Sequence, residues 1–243
     1  MKTIIVYHAY LYGDSYMSLM AEQWRSLIHS GLYNAADKIY IGIVDTLGKY
    51  PENGIAWANG FYNFATSGNT KAENKVEIIV YPDNLELRRT LWWIRDYAKD
   101  NPDDYILFFH TKGITCKDQP SVDCAAVTDW RRYMEYFVIE RWKDCIQKLD
   151  EGYDACGVMW NSDTSFGLHP HFSGAFYWVK GSYINTLDNS YLDGRLRYDQ
   201  EFWIGTNPDA KIFEFHNSQF NDKDSILNYT SHYQICYPKE NYI

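Results

Sequence analysis

The chain reads as an α/β protein, a mostly parallel central sheet flanked by helices in a single domain. Three observations predict this. Short apolar, β-branched runs recur at Lys2 to Tyr7, Lys38 to Val44, Val76 to Tyr81 and Tyr105 to Phe109. Stripes of helical period separate several of them. The run Tyr105-Ile106-Leu107-Phe108-Phe109 is unbroken, as expected of a parallel strand covered on both faces. Such a strand is usually central, and ligands of open α/β sheets bind beyond the carboxyl ends of their strands. His110, Thr111 and Lys112 therefore emerge where chemistry is expected.

In chain order, Met17, Met20, Ala21, Trp24, Leu27 and Ile28 give the first helix, with Asp14 or Ser15 as N-cap and Gly31 as stop. Residues 46 to 74, rich in Gly and Asn, predict a loop-rich insertion with a short helix around Ile55 to Phe64. After the third strand, Asp83 or Asn84 caps a helix carrying Leu87, Leu91, Ile94 and Ala98, which Asn101-Pro102 ends. The stretch from Gly113 to Val127 lacks periodicity and predicts a loop over the site. Thr128 then caps one long helix, Trp130 to Leu149, stopped by Gly152. Ala155 to Trp160 is a short strand, Phe172 to Val179 an aromatic one, Ser182 to Leu187 and Tyr198 to Gly205 short helices, and Lys211 to Phe215 a late strand. Residues 217–243 form a polar, Tyr-rich tail that the pattern does not assign.

Length fits one large domain, since roughly 100–200 residues per domain is the ordinary range and 243 are present. With 23 Lys and Arg against 32 Asp and Glu, the formal charge of −9 argues against a nucleic-acid partner. No signal-peptide core and no apolar span of about 18 residues is present, so a soluble, cytoplasmic protein without a transmembrane segment is expected. Five cysteines without a CxxC pair predict free thiols, neither a disulfide framework nor a zinc site. The Gly-x-Gly-x-x-Gly, Walker and Gly-x-Ser-x-Gly signatures are all missing, which lowers dinucleotide, phosphate-loop and α/β-hydrolase readings.

Four segments carry a resemblance: Ser30 to Gly42, Phe109-His110-Thr111-Lys112-Gly113, Phe172-Ser173-Gly174-Ala175-Phe176-Tyr177-Trp178, and Tyr198-Asp199-Gln200-Glu201-Phe202-Trp203-Ile204-Gly205. In order and spacing they resemble a group of viral and bacterial sugar-transfer proteins with the Rossmann-like glycosyltransferase A-type (GT-A) fold, over about residues 2 to 216. The resemblance implies transfer of a sugar from a nucleotide-sugar donor to an acceptor hydroxyl, of a glycan for instance, with 1–113 as the nucleotide-binding half, 114–216 as the acceptor half and 217–243 as a C-terminal tail. In that fold an Asp-any-Asp motif commonly holds a divalent metal at the end of the fourth strand. This chain has His110-Thr111-Lys112 there, without the hard oxygen ligands that Mg²⁺ or Mn²⁺ prefer, so no metal ligand is assigned and metal dependence is disfavoured.

Lys112 is expected to offset diphosphate charge, against the alternative of a surface-loop lysine. His110 either hydrogen-bonds phosphate or orients the loop, with Thr111 beside it, and His8, ending the first strand, is expected at the nucleotide. Displacement at an anomeric carbon needs a base for the acceptor proton. Glu201 and Asp199 are the candidates, Glu201 favoured; otherwise they are N-terminal helix carboxylates, worth typically ~0.3–1 kcal/mol through the macrodipole. Ser173 and Gly174 are expected beneath a sugar, the glycine permitting close approach, or else in a plain core strand. His171, with His169, flanks Pro170 and can reach the pocket, though such loop histidines are more often exposed. His216, after the last strand, resembles the late histidine of some A-type enzymes. A non-catalytic nucleotide-sugar or carbohydrate-binding module is the alternative function. A phosphatase or nucleotidyltransferase is weaker, because no carboxylate cluster follows a predicted strand.

Overall fold

The structure, a computed structural model, describes residues 1–45, 51–164, 168–194, 196, 198–220 and 231–243, with the backbone alone for 51–57. Parts of the expected 46–74 insertion, of the 161–171 loop and of the tail lie outside the described residues. The elements are β1 (Thr3–Tyr10), α1 (Tyr16–His29), α2 (Leu32–Ala35), β2 (Lys38–Val44), α3 (Pro51–Thr66), α4 (Thr70–Glu73), β3 (Val76–Tyr81), α5 (Arg88–Asp100) and β4 (Tyr105–His110). There follow α6 (Cys124–Glu135), α7 (Trp142–Asp150), β5 (Ala155–Gly157), β6 (Trp160–Asn161), β7 (His171–Phe172), β8 (Tyr177–Lys180), α8 (Gly181–Ile184), α9 (Ser190–Asp193), α10 (Asp199–Phe202) and β9 (Ile212–Glu214).

One seven-stranded sheet, in the order β3-β2-β1-β4-β8-β5-β9, runs through both halves of the chain. β4 is its middle strand. The pairs β1/β2, β2/β3, β1/β4 and β5/β9 are parallel, and β8 is antiparallel to both its neighbours. The α/β class expected from the sequence, a mostly parallel sheet flanked by helices, is the one observed.

Alternation along the strands sends successive side chains to opposite faces. Ile5, Tyr7, Leu107 and Phe109 pack with Trp24 and Leu27 of α1 and with Tyr133 and Met134 of α6. Ile4, Val6, Ile106 and Phe108 pack on the other face with Leu91, Ile94 and Ala98 of α5 and with Tyr183 and Ile184 of α8. Of the stripe expected of α1, Met20, Trp24 and Leu27 are buried while Met17 and Ile28 at its margins are exposed, and Gly31 beyond it adopts φ +78°.

Five expectations need correction. The aromatic strand expected over Phe172 to Val179 is broken by a turn at Gly174 and Ala175 into β7, which pairs with β6 in a small second sheet, and β8. The 46–74 segment holds the sixteen-residue helix α3, whose Ala58, Phe61 and Ala65 lie on one buried face. Phe61 meets Trp24 edge-on with ring centres 5.2 Å apart, and the Tyr33 hydroxyl donates to the Ala65 carbonyl, so tertiary contact outweighs the weak helical tendency of its Gly and Asn residues. α5 begins at Arg88 rather than after Asp83 or Asn84; Asn84 instead accepts from the Glu86 amide in a local turn. The long helix expected after Thr128 is two. α6 starts at Cys124, where Asp123 accepts from the Ala125 amide, and a π-turn at Tyr136–Glu140 separates it from α7. The widened turn leaves the Val138 carbonyl to the Trp178 indole N–H, 2.7 Å away, and the Phe137 carbonyl to the Cys145 thiol. Lastly, Cys116 and Cys124 are disulfide-bonded, their Cα atoms 5.4 Å apart, while Cys145, Cys156 and Cys236 are free.

Among the described residues no helix is long and apolar enough to cross a membrane. The bridge closes a short loop, for which chain entropy gives about 2–3 kcal/mol of stability. The double variant Cys116→Ser/Cys124→Ser is therefore expected to lower the urea midpoint of the oxidised protein, with dithiothreitol shifting the wild type but not the variant; equal midpoints would argue against a formed bridge.

Candidate functional site

A cavity of about 430 Å³ opens at the carboxyl ends of β1 and β4. Its floor comes from His8 and from His110, Thr111 and Lys112. Tyr10 and Tyr12 follow from β1, Asn84 and Glu86 from the loop before α5, Asp118 and Gln119 from the loop after β4, Gln200 and Glu201 from α10, and Tyr233 from the tail.

His8 and His110 are register partners on adjacent strands and share the face that carries Val6 and Phe108. His8 Nδ1 lies 2.8 Å from the Thr90 hydroxyl of α5. His110 Nε2 lies 2.9 Å from the Gly174 carbonyl, and a carbonyl only accepts, so Nε2 carries the proton. Burial lowers both imidazoles to about 3, with Lys112 adding to the effect at His110. Near neutral pH His110 thus has one proton, already donated to Gly174, and its other nitrogen is an acceptor. It orients the loop and has no proton to offer a phosphate.

Thr111 fastens the two strand ends: its amide donates to the His8 carbonyl at 3.1 Å and its hydroxyl accepts from the Tyr10 amide at 3.0 Å. Lys112 then turns toward α6. Its ammonium sits 3.9 Å from the centre of the Trp130 indole and donates to the Tyr233 hydroxyl at 3.1 Å. Among the described residues no carboxylate forms an ion pair with it.

The position of this loop is set from behind by a buried network. Gln23 of α1 donates to the His110 carbonyl at 3.1 Å and to Glu135 of α6 at 2.8 Å, and accepts from Tyr7 at 2.7 Å. Arg131 bridges Glu135 and Glu22, both at 3.0 Å. Burial pushes the Glu135 carboxyl up against the opposing pull of Arg131.

Glu201 reaches the cavity because its neighbour is pinned. Gln200 is buried, accepts from the Leu87 amide at 2.8 Å and donates to Glu86, which joins α10 to the loop before α5. Glu86 itself holds φ +53°, a conformation uncommon for a side chain of its length. Asp199 lies elsewhere: its carboxylate accepts from the Leu196 amide at 3.0 Å, folding back on its own turn. Two positions apart on a helix are about 200° apart around the axis, so the pair cannot face one ligand.

The remaining candidates do not line the cavity. Gly174 adopts φ +90°, and a Cβ there would meet Met134 Sδ at 2.5 Å; the close approach it permits is to α6 rather than to a sugar. Ser173 donates its amide to the Met159 carbonyl at 3.0 Å. His171 is buried, with Nδ1 donating to the His169 carbonyl at 2.7 Å and its ring against Phe202 of α10. His216 Nδ1 donates to the Tyr133 hydroxyl, which returns its proton to the His216 carbonyl, both at 3.0 Å. Sequence reasoning missed Tyr10, Tyr12, Glu86, Asp118 and Tyr233. The first two continue the β1 run, which was a usable signal; Tyr233 gave none.

At the end of β4 stand an ammonium and an imidazole rather than carboxylates; with Nε2 committed to Gly174, His110 offers a single nitrogen lone pair and no hard oxygen, and among the described residues no three His, Cys, Asp or Glu side chains gather as a ligand set. The wall instead combines one ammonium with the carboxylates of Glu86, Asp118 and Glu201. Of these, Glu86 accepts from Gln200, and Asp118 accepts from the Tyr12 phenol, pushing that phenol up. Such a wall suits a ligand with an anionic end and a hydroxyl-rich end.

Burial also lowers the His232 imidazole to about 3. Unfolding exposes His8, His110 and His232, which then bind protons near their ordinary value of about 6.5. The unfolded chain therefore binds more protons than the folded one between about pH 6.5 and 3, and stability falls as pH drops through that window, by up to about 1.4 kcal/mol per pH unit for each ring. His110→Gln, which keeps a donor for Gly174, is expected to remove about one proton from the uptake on unfolding, read from urea denaturation between pH 7 and 4. An unchanged slope would mean that His110 titrates in the fold.

No protein-family model matches the chain, and no curated protein matches it. Solved structures similar to it include a nucleotidyl transferase from Methanothermobacter thermautotroptrophicus, at 14% identity over 88% of each chain with a TM-score of 0.40. Another is Rv0371C of Mycobacterium tuberculosis in complex with manganese, at 13% identity over 90% of each chain with a TM-score of 0.39.

Proposed function

We propose that the chain is a transferase acting on a nucleotide-linked substrate, and more finely a glycosyltransferase of GT-A type that moves a sugar from a nucleotide-sugar donor to an acceptor hydroxyl. The observation that carries this reading is the cavity beyond β4, lined both by an ammonium without a carboxylate partner among the described residues and by the Glu201 carboxylate of α10. Lys112 supplies positive charge for the diphosphate as the anomeric C–O bond breaks, and the leaving oxygen keeps the electron pair. The acceptor oxygen forms the new bond, and Glu201 takes its proton. Attack opposite the leaving group inverts the anomeric centre.

Tyr10 and Tyr12, ring centres 5.4 Å apart, and His8 line the part of the wall supplied by β1, the strand end proposed for the nucleoside. Glu86 and Asp118 are acceptors for sugar hydroxyls. His110 keeps the Lys112 loop in place through Gly174, and His171 supports α10 beside Glu201. Asp199 is assigned to its turn and not to the reaction. A glycan acceptor belongs to the same proposal.

A screen of nucleotide sugars for a rise in melting temperature is expected to find a donor, since a ligand that binds only the folded state raises that temperature. With it, Glu201→Gln is expected to cut turnover by about 10²–10⁴ while donor binding survives, and Asp199→Asn to stay near wild type. The reverse ranking would transfer the role to Asp199. Donor binding without release of nucleoside diphosphate by the wild type would favour the binding-module alternative. Turnover is expected to persist in EDTA; complete loss restored by Mn²⁺ would overturn the role given to Lys112.

A further inference from the structure

The tail contributes to the site in a way that the motifs gave no reason to expect. Tyr233 comes from a segment 121 residues away from Lys112 in the sequence, yet its hydroxyl accepts the ammonium proton at 3.1 Å. Its ring centre lies 5.0 Å from that nitrogen, and the Trp130 indole lies 3.9 Å from it. The two rings meet edge to face at 5.1 Å, so together they form a corner around one cation.

The segment is anchored independently of Lys112. The Asp123 amide donates to the Tyr233 carbonyl at 2.7 Å, which fixes the backbone to the N-cap of α6. Beside it, His232 is 1% exposed, stacks on Trp130 at 5.3 Å and bonds to the Ser218 hydroxyl at 2.7 Å. Tyr233 by contrast is 40% exposed and lines the cavity. Its backbone is held while its partly exposed phenol reaches Lys112 at the cavity.

A lysine has four rotatable bonds and loses much rotamer freedom when its ammonium is confined. An aromatic corner removes that freedom before a ligand arrives. It leaves ammonium protons for an anion, because the indole face uses none of them through a directed bond and the phenol uses one. We propose that Tyr233 is a positioning residue: with Trp130 it sets the Lys112 ammonium at the cavity wall, ready for the diphosphate of the ligand. This rests on the reading of Lys112 given under Proposed function.

The test uses two readouts on the full chain. In the first, lysines are reductively ¹³C-dimethylated, which keeps their charge, and the Lys112 signal is assigned by its absence in Lys112→Arg. Ring currents are expected to shift that signal upfield of the exposed lysines, and Tyr233→Ala to move it back toward them. A Lys112 signal already among the exposed lysines would overturn the proposal. In the second, inorganic pyrophosphate is titrated calorimetrically. Lys112→Ala is expected to weaken binding about tenfold or more, and Tyr233→Ala several-fold, with Tyr233→Phe in between.

In the Lys112→Ala background Tyr233→Ala is expected to add nothing, because its effect passes through the ammonium. Independent, additive losses would overturn positioning. Should Tyr233→Ala fail to fold, Tyr233→Phe carries both readouts, since it keeps the ring and deletes only the acceptor; pyrophosphate affinity and signal position both equal to wild type would then refute a role for the hydroxyl. Pyrophosphate binding indifferent to Lys112→Ala would instead defeat the proposed role of Lys112 in the transfer, while the signal position still decides whether Tyr233 sets the ammonium.

Discussion

The amide of Gln23 is the point on which the site's geometry turns. It lies buried beneath the ends of two parallel strands and satisfies groups from three elements, Tyr7 of β1, the His110 carbonyl of β4 and Glu135 of α6. The His110 carbonyl is where ladder pairing stops: its other partner is the Lys112 amide, 2.8 Å away, which begins the turn. An unpaired buried group costs about 1–3 kcal/mol, so an apolar residue at position 23 would expose several such costs together. The same amide fixes the distance between α1 and α6, and α6 carries Trp130, on which Lys112 rests. A contact outside the cavity therefore decides where the cavity's cation can be.

Two halves of the molecule meet around that point with different tasks. On the α6 side the contacts are aromatic and the charge is positive; Trp130, Tyr133, His232 and Tyr233 form a continuous set of rings behind Lys112. On the α5 and α10 side the contacts are polar and the charge is negative, with Glu86 and Glu201 on either side of the buried Gln200. The chain as a whole carries −9, so its long-range field does not favour an anion. At physiological salt that field is largely screened beyond about 8 Å, and a cation at the wall acts at shorter range than this. Local placement of one lysine can thus prevail over an unfavourable net charge.

What could be read from the sequence follows from range. β1, β2, β3 and β4, with α1, are local patterns, and a period of two or of 3.6 announces them without reference to the rest of the chain. The emergence of His8, His110, Thr111 and Lys112 at one end of the sheet follows from parallel pairing, and that too is a consequence of strand type. The features that escaped are set by distant partners. α3 is stabilised by Trp24 and Tyr33, the π-turn by Trp178 of β8, and the left-handed Gly174 by Met134. Glu201 is only slightly favoured over Asp199 in sequence; the hydrogen bonds that tie Gln200 to Glu86 and Leu87, more than a hundred residues earlier, separate them in the fold. Tyr233 has no periodic neighbours to announce it.

A strand end that carries His110-Thr111-Lys112 asks something different of its surroundings than one that carries carboxylates. A divalent ion brings two charges and a rigid coordination shell, and its carboxylate ligands need only be near it. An ammonium brings one charge on a flexible stem, so its orientation must come from elsewhere in the chain. Here that support is visible: a neutral His110 tied to Gly174, a Thr111 hydroxyl closing the strand ends, the Gln23 network behind them, and an aromatic corner completed by the tail. Neutrality of His110 matters as much as its position, because a second cation at that point would repel the Lys112 ammonium. Burial keeps the imidazole uncharged, and the glycine carbonyl uses its one proton. The charge at the end of β4 is thereby concentrated on Lys112.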